Sequence, residues 1–358
     1  MPSTLKLPAV AALALFTGGV LAPRGGAPGQ APTVRAIQDT NVPVRITEWK
    51  VPWEQSRPRD PYVDARGRVW FVGQEGNYVA YLEPNSGHFE QYTIDPGTFP
   101  HNLIVAQDGM VWYSGNRNGM IGKLNPDTRA ITRYPIPDSG VRDPHTLFAD
   151  GKGRIFFTAQ QAGYVGRLTM SSGKIDLLKL STPGARPYGI SMNSKGEVWF
   201  NEFGVNRIAR LDPESMKATE FPLPDPKTRD RRIAITSDDA VWYVDYVRGY
   251  LARLDPSTGK VREFQCPGGA AAAPYALAVD DNDRLWLVET GPRPNKFVGF
   301  DSKTERFFSV TPIAESGAFA VRHMFFHKPN NEIWFGTDAN TIGRAKLPPG
   351  GPKAAPKA

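Results

Sequence analysis

His101-Asn-Leu-Ile-Val105, Met110-Val-Trp-Tyr-Ser114, Met120-Ile-Gly-Lys-Leu124 and Ile131-Thr-Arg-Tyr134 follow one another as four short apolar runs. Each is rich in β-branched or aromatic residues and stops at a turn-forming residue, which predicts four strands and no helix. Asp108-Gly109 is a hairpin signal between the first two runs, and Arg66-Gly67, Lys152-Gly153 and Lys195-Gly196 repeat it. The third run recurs as Val165-Gly-Arg-Leu168, Ile208-Ala-Arg-Leu211, Leu251-Ala-Arg-Leu254 and Ile342-Gly-Arg-Ala345. Asn125-Pro126, Asp212-Pro213 and Asp255-Pro256 then mark the turn into the fourth.

The aromatic in the second run anchors the repeat. It returns as Trp70, Trp112, Phe156, Trp199, Trp242, Trp286 and Trp334, at intervals of 42, 44, 43, 43, 44 and 48 residues. A period in the low forties built only from strands is the mark of a β-propeller with one four-stranded blade per repeat. The expected fold is therefore all-β, a seven-bladed β-propeller over residues 46–347. The last repeat ends at its third strand near Leu347, and the unmatched Ile46-Thr-Glu-Trp-Lys-Val-Pro52 resembles the outer run Ala218-Thr-Glu-Phe-Pro-Leu-Pro224. The N-terminal strand is thus expected to complete the last blade and remove an open sheet edge. Trp49 then packs within a blade.

The 358 residues carry 35 Gly and 33 Pro, which fall between the strand-like runs and suit tight turns. Net charge is +7, but Lys and Arg are spread over the repeats with acids beside them, so no nucleic-acid partner is expected. Lys6 precedes an apolar run from Leu7 to Ala22, read as a signal peptide over 1–22, with an uncleaved anchor as the alternative, and hence a secreted or periplasmic protein with no stable membrane span if the signal is cleaved. Pro23 and Pro32 follow the small-residue cleavage points, so the cleavage position is not readable. Residues 23–45 read as a flexible linker and 348–358 as a disordered tail. The single Cys266 forms no internal disulfide and is expected as a buried or turn-edge thiol. No oligomer signal is present, and a monomer is expected.

In a propeller the first strand of each blade lines the central channel. The residues read at its mouth are Tyr62, His101, His145, Tyr188, Arg232, Tyr275 and His323, a ring that a packed apolar core would not select. Three residues past the anchors, Glu202, Asp245 and Glu289 put acids on the fourth to sixth blades. Taken singly, the first set reads equally as caps of backbone groups, and the second as partners of Arg207, Arg248 and Arg293. Together around one opening, they point to a small-molecule or metal site. No structural-zinc spacing, nucleophile elbow or phosphate-cradling loop occurs.

With the repeats aligned, Ala185-Arg-Pro-Tyr-Gly-Ile190, Glu197-Val-Trp-Phe-Asn-Glu202, Asn206-Arg-Ile-Ala-Arg210 and Thr219-Glu-Phe-Pro-Leu-Pro224 resemble the streptogramin B (virginiamycin B) lyase family over all seven blades. That resemblance implies a propeller that opens a cyclic depsipeptide antibiotic by Mg-dependent β-elimination. It further implies a general-base His at the mouth of the last blade and two carboxylates around the metal. A second His at the mouth of the preceding blade and a substrate-contacting Tyr on the first blade complete the set. Carried over by position, Tyr62 takes the place of that Tyr and His323 that of the base. Asp338, four residues beyond Trp334, takes that of a metal-binding Glu. Val321 replaces the other carboxylate and Tyr275 the second His, with Glu289 as the candidate to compensate.

One reading is then a lyase-like enzyme with His323 and Tyr275 catalytic, and Asp338 and Glu289 on Mg2+, or Ca2+ as the alternative. Tyr62, His101, His145, Tyr188 and Arg232 would contact a cyclic or polymeric substrate with an ester or uronate-like carbonyl. This requires His323 and Asp338 to face one cavity. A variant makes Glu202, Asp245 and Glu289 the site of a Ca-dependent lactonase-like hydrolase. The other reading is a non-catalytic sensor or scaffold that binds a small molecule, a cyclic peptide or a glycan; propellers host both classes.

Overall fold

Every repeat buries its aromatic anchor. Trp70, Trp112, Phe156, Trp199 and Trp286 have no exposed surface, and Trp242 and Trp334 keep 1% and 2%. The anchor of one blade packs on the strands of the next: Trp112 lies with Leu147, Ile155 and Phe157, and Trp334 with Val69 and Phe71. An aromatic of this size buries roughly 150–250 Å², or about 4–6 kcal/mol at about 25 cal/mol per Å² before the entropy of ordering is subtracted. The core is thus a ring of inter-blade layers, which a linear array cannot complete.

The computed structural model describes residues 41–316 and 320–350. The described residues form seven four-stranded antiparallel sheets. Their innermost strands are Pro58–Val63, Pro100–Val105, Pro144–Ala149, Pro187–Met192, Asp230–Ile235, Pro274–Val279 and Val321–His327, which define blades 1 to 7. Six blades run in chain order from the innermost strand outwards. In the seventh, Arg45–Lys50 pairs antiparallel with Thr341–Lys346, and Trp49 stacks on Trp334 at 5.5 Å between centroids. The Arg344 guanidinium lies over both indoles. The chain ends therefore close the ring, as the repeat arithmetic requires.

The expected linker reaches into the described residues. The Val42 N–H donates to Phe308 and that of Val44 to the Thr311 hydroxyl, while Asn41 exchanges hydrogen bonds with Val310. Residues 41–44 are therefore tied to blade 6 and are not free linker, and Pro348 and Pro349 accept from Arg284. The expected leader, the linker up to residue 40 and the tail from residue 351 lie outside the described residues. Cys266 is buried and free, its thiol pushed up by burial.

One local feature positions the site. In all seven innermost strands the pairing with the second strand slips just after the strand begins, as between Pro100 and Leu103 or Pro187 and Ile190. Such bulges twist a strand and re-aim its side chains. Here they turn two successive residues per blade towards the bore. Proline opens five of these strands, and Arg57, Phe99, Arg186 and Ala273 just before it have φ of 49°, 45°, 52° and 44°. Left-handed backbone at non-glycine residues costs of order 1–3 kcal/mol each and recurs at functional rims.

Candidate functional site

Strand pairing fixes which residues are equivalent. Pro58, Pro100, Pro144, Pro187, Asp230, Pro274 and Val321 face the last residue of their second strands: Gly73, Gly115, Ala159, Glu202, Asp245, Glu289 and Thr337. The next residue in each blade is the mouth residue: Arg59, His101, His145, Tyr188, Arg231, Tyr275 and Arg322. The register thus corrects the sequence alignment on three blades. Tyr62 pairs with Trp70 and lies three residues deeper, packed on Phe325 at 4.2 Å. Arg232 and His323 each lie one residue below the rim. The mouth carries three arginines that the sequence reading missed.

The causes are local. Pro61-Tyr62 imitates Pro187-Tyr188, but Pro58 has the correct spacing to its Trp. Blade 5 opens on Asp230, which removes the proline landmark. Blade 7 gains one residue in its hairpin, where Lys328–Asn330 forms a single 3-10 turn. Counting back eleven residues from each anchor, and twelve in blade 7, recovers the true ring.

The mouth side chains interlock. The His101 and His145 rings lie 3.5 Å apart, Tyr188 is 4.3 Å from His145, and the Tyr188 and Tyr275 hydroxyls meet. The Arg231 guanidinium lies 3.9 Å from the Tyr275 ring centroid and also faces Tyr246 and Phe203; that of Arg322 lies 5.5 Å from the same ring. Just below, Arg232 crosses the bore from blade 5. It donates to the Thr146 hydroxyl on blade 3 and to the Arg322 carbonyl on blade 7, each at 3.1 Å. Its remaining nitrogen is 3.9 Å from the Asp60 carboxylate on blade 1, which accepts from Asn102.

This crowding of cations sets the protonation states. Burial opposes ionisation of Tyr275, but Arg231, Arg59, Arg322 and Arg232 together hold its phenol down at about 7. Burial and the neighbouring Tyr275 push Tyr188 up, so ionisation of the pair is favoured at Tyr275. Burial, then Arg59, His145 and Arg232, hold His101 well below the ordinary imidazole value, and burial with Arg232 does the same to His145. Both stay neutral. Several buried cationic N–H groups lack an acceptor: Nε and one terminal nitrogen of Arg59, Nε of Arg231 and a terminal nitrogen of Arg232. Buried donors without partners are rare and mark a place for a ligand or ordered water. The nearest carboxylate is Asp60, 3.6 Å from Arg59 Nε and 3.9 Å from Arg232.

The expected metal site does not assemble. Asp338 accepts both Nε and a terminal nitrogen of Arg322, at 2.9 and 2.6 Å, and Arg57 at 3.4 Å. Burial opposes, but these arginines hold its carboxyl below the ordinary value. Glu289 turns away, accepts the Gly268 N–H at 2.8 Å, and is raised by burial. Asp245 caps its hairpin by accepting from the Arg229, Val247 and Arg248 amides. Glu202 is fully buried, its carboxylate oxygens have no partner, and burial followed by Glu220 pushes it up to about 7. Among the described residues no group of three or more His, Cys, Asp or Glu is arranged to hold a metal. His323 lines the far half of the bore, whereas Asp338 lines a separate surface cavity with Arg57 and Glu75. The pairing of His323 as base with a cation on Asp338 and Glu289 therefore fails, and so does the lactonase-like acid set.

A family description of virginiamycin B lyases matches residues 33–293. The chain belongs to the virginiamycin B lyase family. Virginiamycin B lyase from Staphylococcus aureus, solved in selenomethionine form, is 26% identical over 85% of this chain and 100% of its own, with a TM-score of 0.77. A streptogramin B lyase is 25% identical over 85% of this chain and 98% of its own, with a TM-score of 0.75. The S. aureus enzyme is also known as a catalytically inactive His-to-Ala variant with quinupristin. The extracellular domain of a hybrid two-component system from B. thetaiotaomicron shares the fold at 15% identity, with a TM-score of 0.63 over 85% of this chain and 42% of its own. No curated protein sequence matches the chain. At the mouth of the first, sixth and seventh blades this member carries Arg59, Tyr275 and Arg322.

Proposed function

We propose that this member of the virginiamycin B lyase family is a lyase-like enzyme whose mouth takes an anionic substrate and eliminates without a metal. One observation carries the reading: a buried phenol, Tyr275, has the guanidiniums of Arg231 and Arg322 at 3.9 and 5.5 Å from its ring, and the cations around it favour its ionised form. Catalytic bases are tuned towards the working pH in this way. In the proposed step the Tyr275 phenolate takes the proton on the carbon next to a carboxylate or ester carbonyl. The C–H electron pair becomes a carbon–carbon double bond, the β C–O bond breaks, and the departing oxygen takes the proton back. Arg231 and Arg322 stabilise the charge that develops on the carbonyl oxygens, the part a divalent cation plays in the family. Neutral His101 and His145, with Tyr188, orient the substrate from the opposite wall.

The substrate class that suits this charge is a uronate-like or otherwise carboxylate-bearing ester or glycan rather than a neutral depsipeptide. We place the enzyme outside the cytoplasm because a basic residue and an apolar run open the chain. No helix of the described residues is long and apolar enough to cross a membrane. Purified protein is incubated with uronate polymers, lactones and cyclic depsipeptides, and the conjugated double bond of the product is followed by ultraviolet absorbance. Turnover of an acidic substrate that survives a chelator and disappears in Tyr275→Phe supports the proposal; turnover that requires added Mg2+, or that Tyr275→Phe retains, overturns it. Tyr275 is only 2% exposed. That favours, as a second reading, a binding protein that holds carboxylates at the arginines without chemistry, recognised by saturable binding with no new absorbance.

A further inference from the structure

Below the layer spanned by Arg232 the bore widens into a cavity of about 310 Å³. None of the seven rim residues lines it. Its walls come from the lower halves of the innermost strands, with Leu103, Leu147, Ile190, Ile233, Leu277 and Met324 at one register position of blades 2 to 7. At the inner end, under the Arg232 layer, stands His323, whose Nδ1 is buried with no hydrogen-bond partner.

We propose that this far cavity is a second binding site, separate from the mouth, for an uncharged and largely aliphatic small molecule with one hydrogen-bonding end directed at His323. Its volume lies at the lower end of the roughly 300–1,000 Å³ typical of small-molecule sites, which are mostly apolar with a few placed polar groups. The charge preference has a physical cause. No Asp, Glu, Lys or Arg lines the cavity, whose polar members are Tyr62, Asn102, Thr146, Ser191 and His323, so an ion there loses its hydration without a counter-charge, and Asp60 and Arg232 above the cavity already face one another. Burial holds His323 down at about 4, so the ring is neutral and offers one donor and one acceptor. A hydroxyl or carbonyl end pairs with the His323 ring, whereas a carboxylate gains no cation there. The site is independent of the chemistry at the mouth, since Tyr275 does not line it.

The test is calorimetric titration of the full chain with 1-octanol and with octanoate. Saturable octanol binding is expected, with octanoate at least tenfold weaker. Ser191→Phe should weaken octanol at least tenfold with an unchanged melting curve. Ser191 lines the cavity and pairs with Trp199 at the position where Tyr62, Phe148 and Phe325 stand in other blades, so the fold already accepts an aromatic there. His323→Leu reads the same site independently, should Ser191→Phe fail to fold, and is expected to weaken octanol about tenfold by removing its hydrogen bond. Non-saturable octanol binding, equal binding of octanoate, or octanol affinity unaltered in a folded variant would each overturn the proposal.

Discussion

Replacing Arg231 with Met should move the ionisation of a single tyrosine by about two pH units. The Arg231 guanidinium stacks 3.9 Å from the Tyr275 ring centroid. Two unit charges about 5 Å apart, in an effective dielectric of about 20, attract by about 3 kcal/mol, which is about two pKa units. Met keeps the packing against Tyr246 and Phe203 and removes only the charge. The assay is ultraviolet difference absorbance of phenolate against pH. Burial pushes Tyr78, Tyr113 and Tyr243 upwards, and burial with Tyr275 does so for Tyr188, so a step near neutrality belongs to Tyr275. Tyr275→Phe should delete that step, and Arg231→Met should shift it upward. Stability gives a second reading of the same charge. In the unfolded chain the phenol ionises near its ordinary value of about 10. Between the folded and unfolded pKa values the unfolded chain holds the extra proton, so unfolding free energy rises with pH. That gain should be complete above the unfolded value, lost as pH falls through about 7, and absent from Tyr275→Phe. A step that persists in Tyr275→Phe, or an Arg231→Met protein titrating like the parent, refutes the guanidinium cage.

Arg232→Met should destabilise the fold by roughly 1–3 kcal/mol, the usual cost of leaving a buried acceptor without its donor, because the Thr146 hydroxyl and the Arg322 carbonyl lose their hydrogen bonds across the bore while Asp60 keeps Arg59 at 3.6 Å; an unchanged denaturant midpoint would show that Arg232 is not a brace. Trp49→Ala should cost about 3 kcal/mol by emptying the stack on Trp334 that closes the ring. A thermal melt unaffected by that change would remove the closing strand from the stability argument. Glu202→Gln should stabilise the protein at alkaline pH but not in acid. The buried carboxyl, raised to about 7, holds a proton that the unfolded chain gives up near its ordinary value, so parent stability falls as pH rises between the two and the variant's does not. Parallel pH–stability curves for parent and variant would contradict this.

How far the sequence reached is clearest at individual residues. Trp49 was legible as a blade-packing residue because it falls in an outer-strand phrase repeated elsewhere in the chain. His101, His145, Tyr188 and Tyr275 were legible because a proline opens each of their strands. Arg59, Arg231 and Arg322 were not. A second proline, a missing proline and one extra hairpin residue moved the alignment on their blades, and a bulge hides a shift of one residue from any pattern of alternation. Asp338 beside a base was implied by the family resemblance and carried over by position, and position says nothing about which of two cavities a side chain enters.

By itself the sequence determined the number of blades, their four strands and the closure of the ring. These follow from a hydrophobic period that only one way of burying the anchor aromatics satisfies. Tertiary structure alone decided the chemistry of the bore. Seven side chains converge there from segments spread over more than two hundred residues, and a pKa depends on how many guanidiniums lie within a few ångströms, a quantity fixed by the packing of blades and by no local stretch of chain.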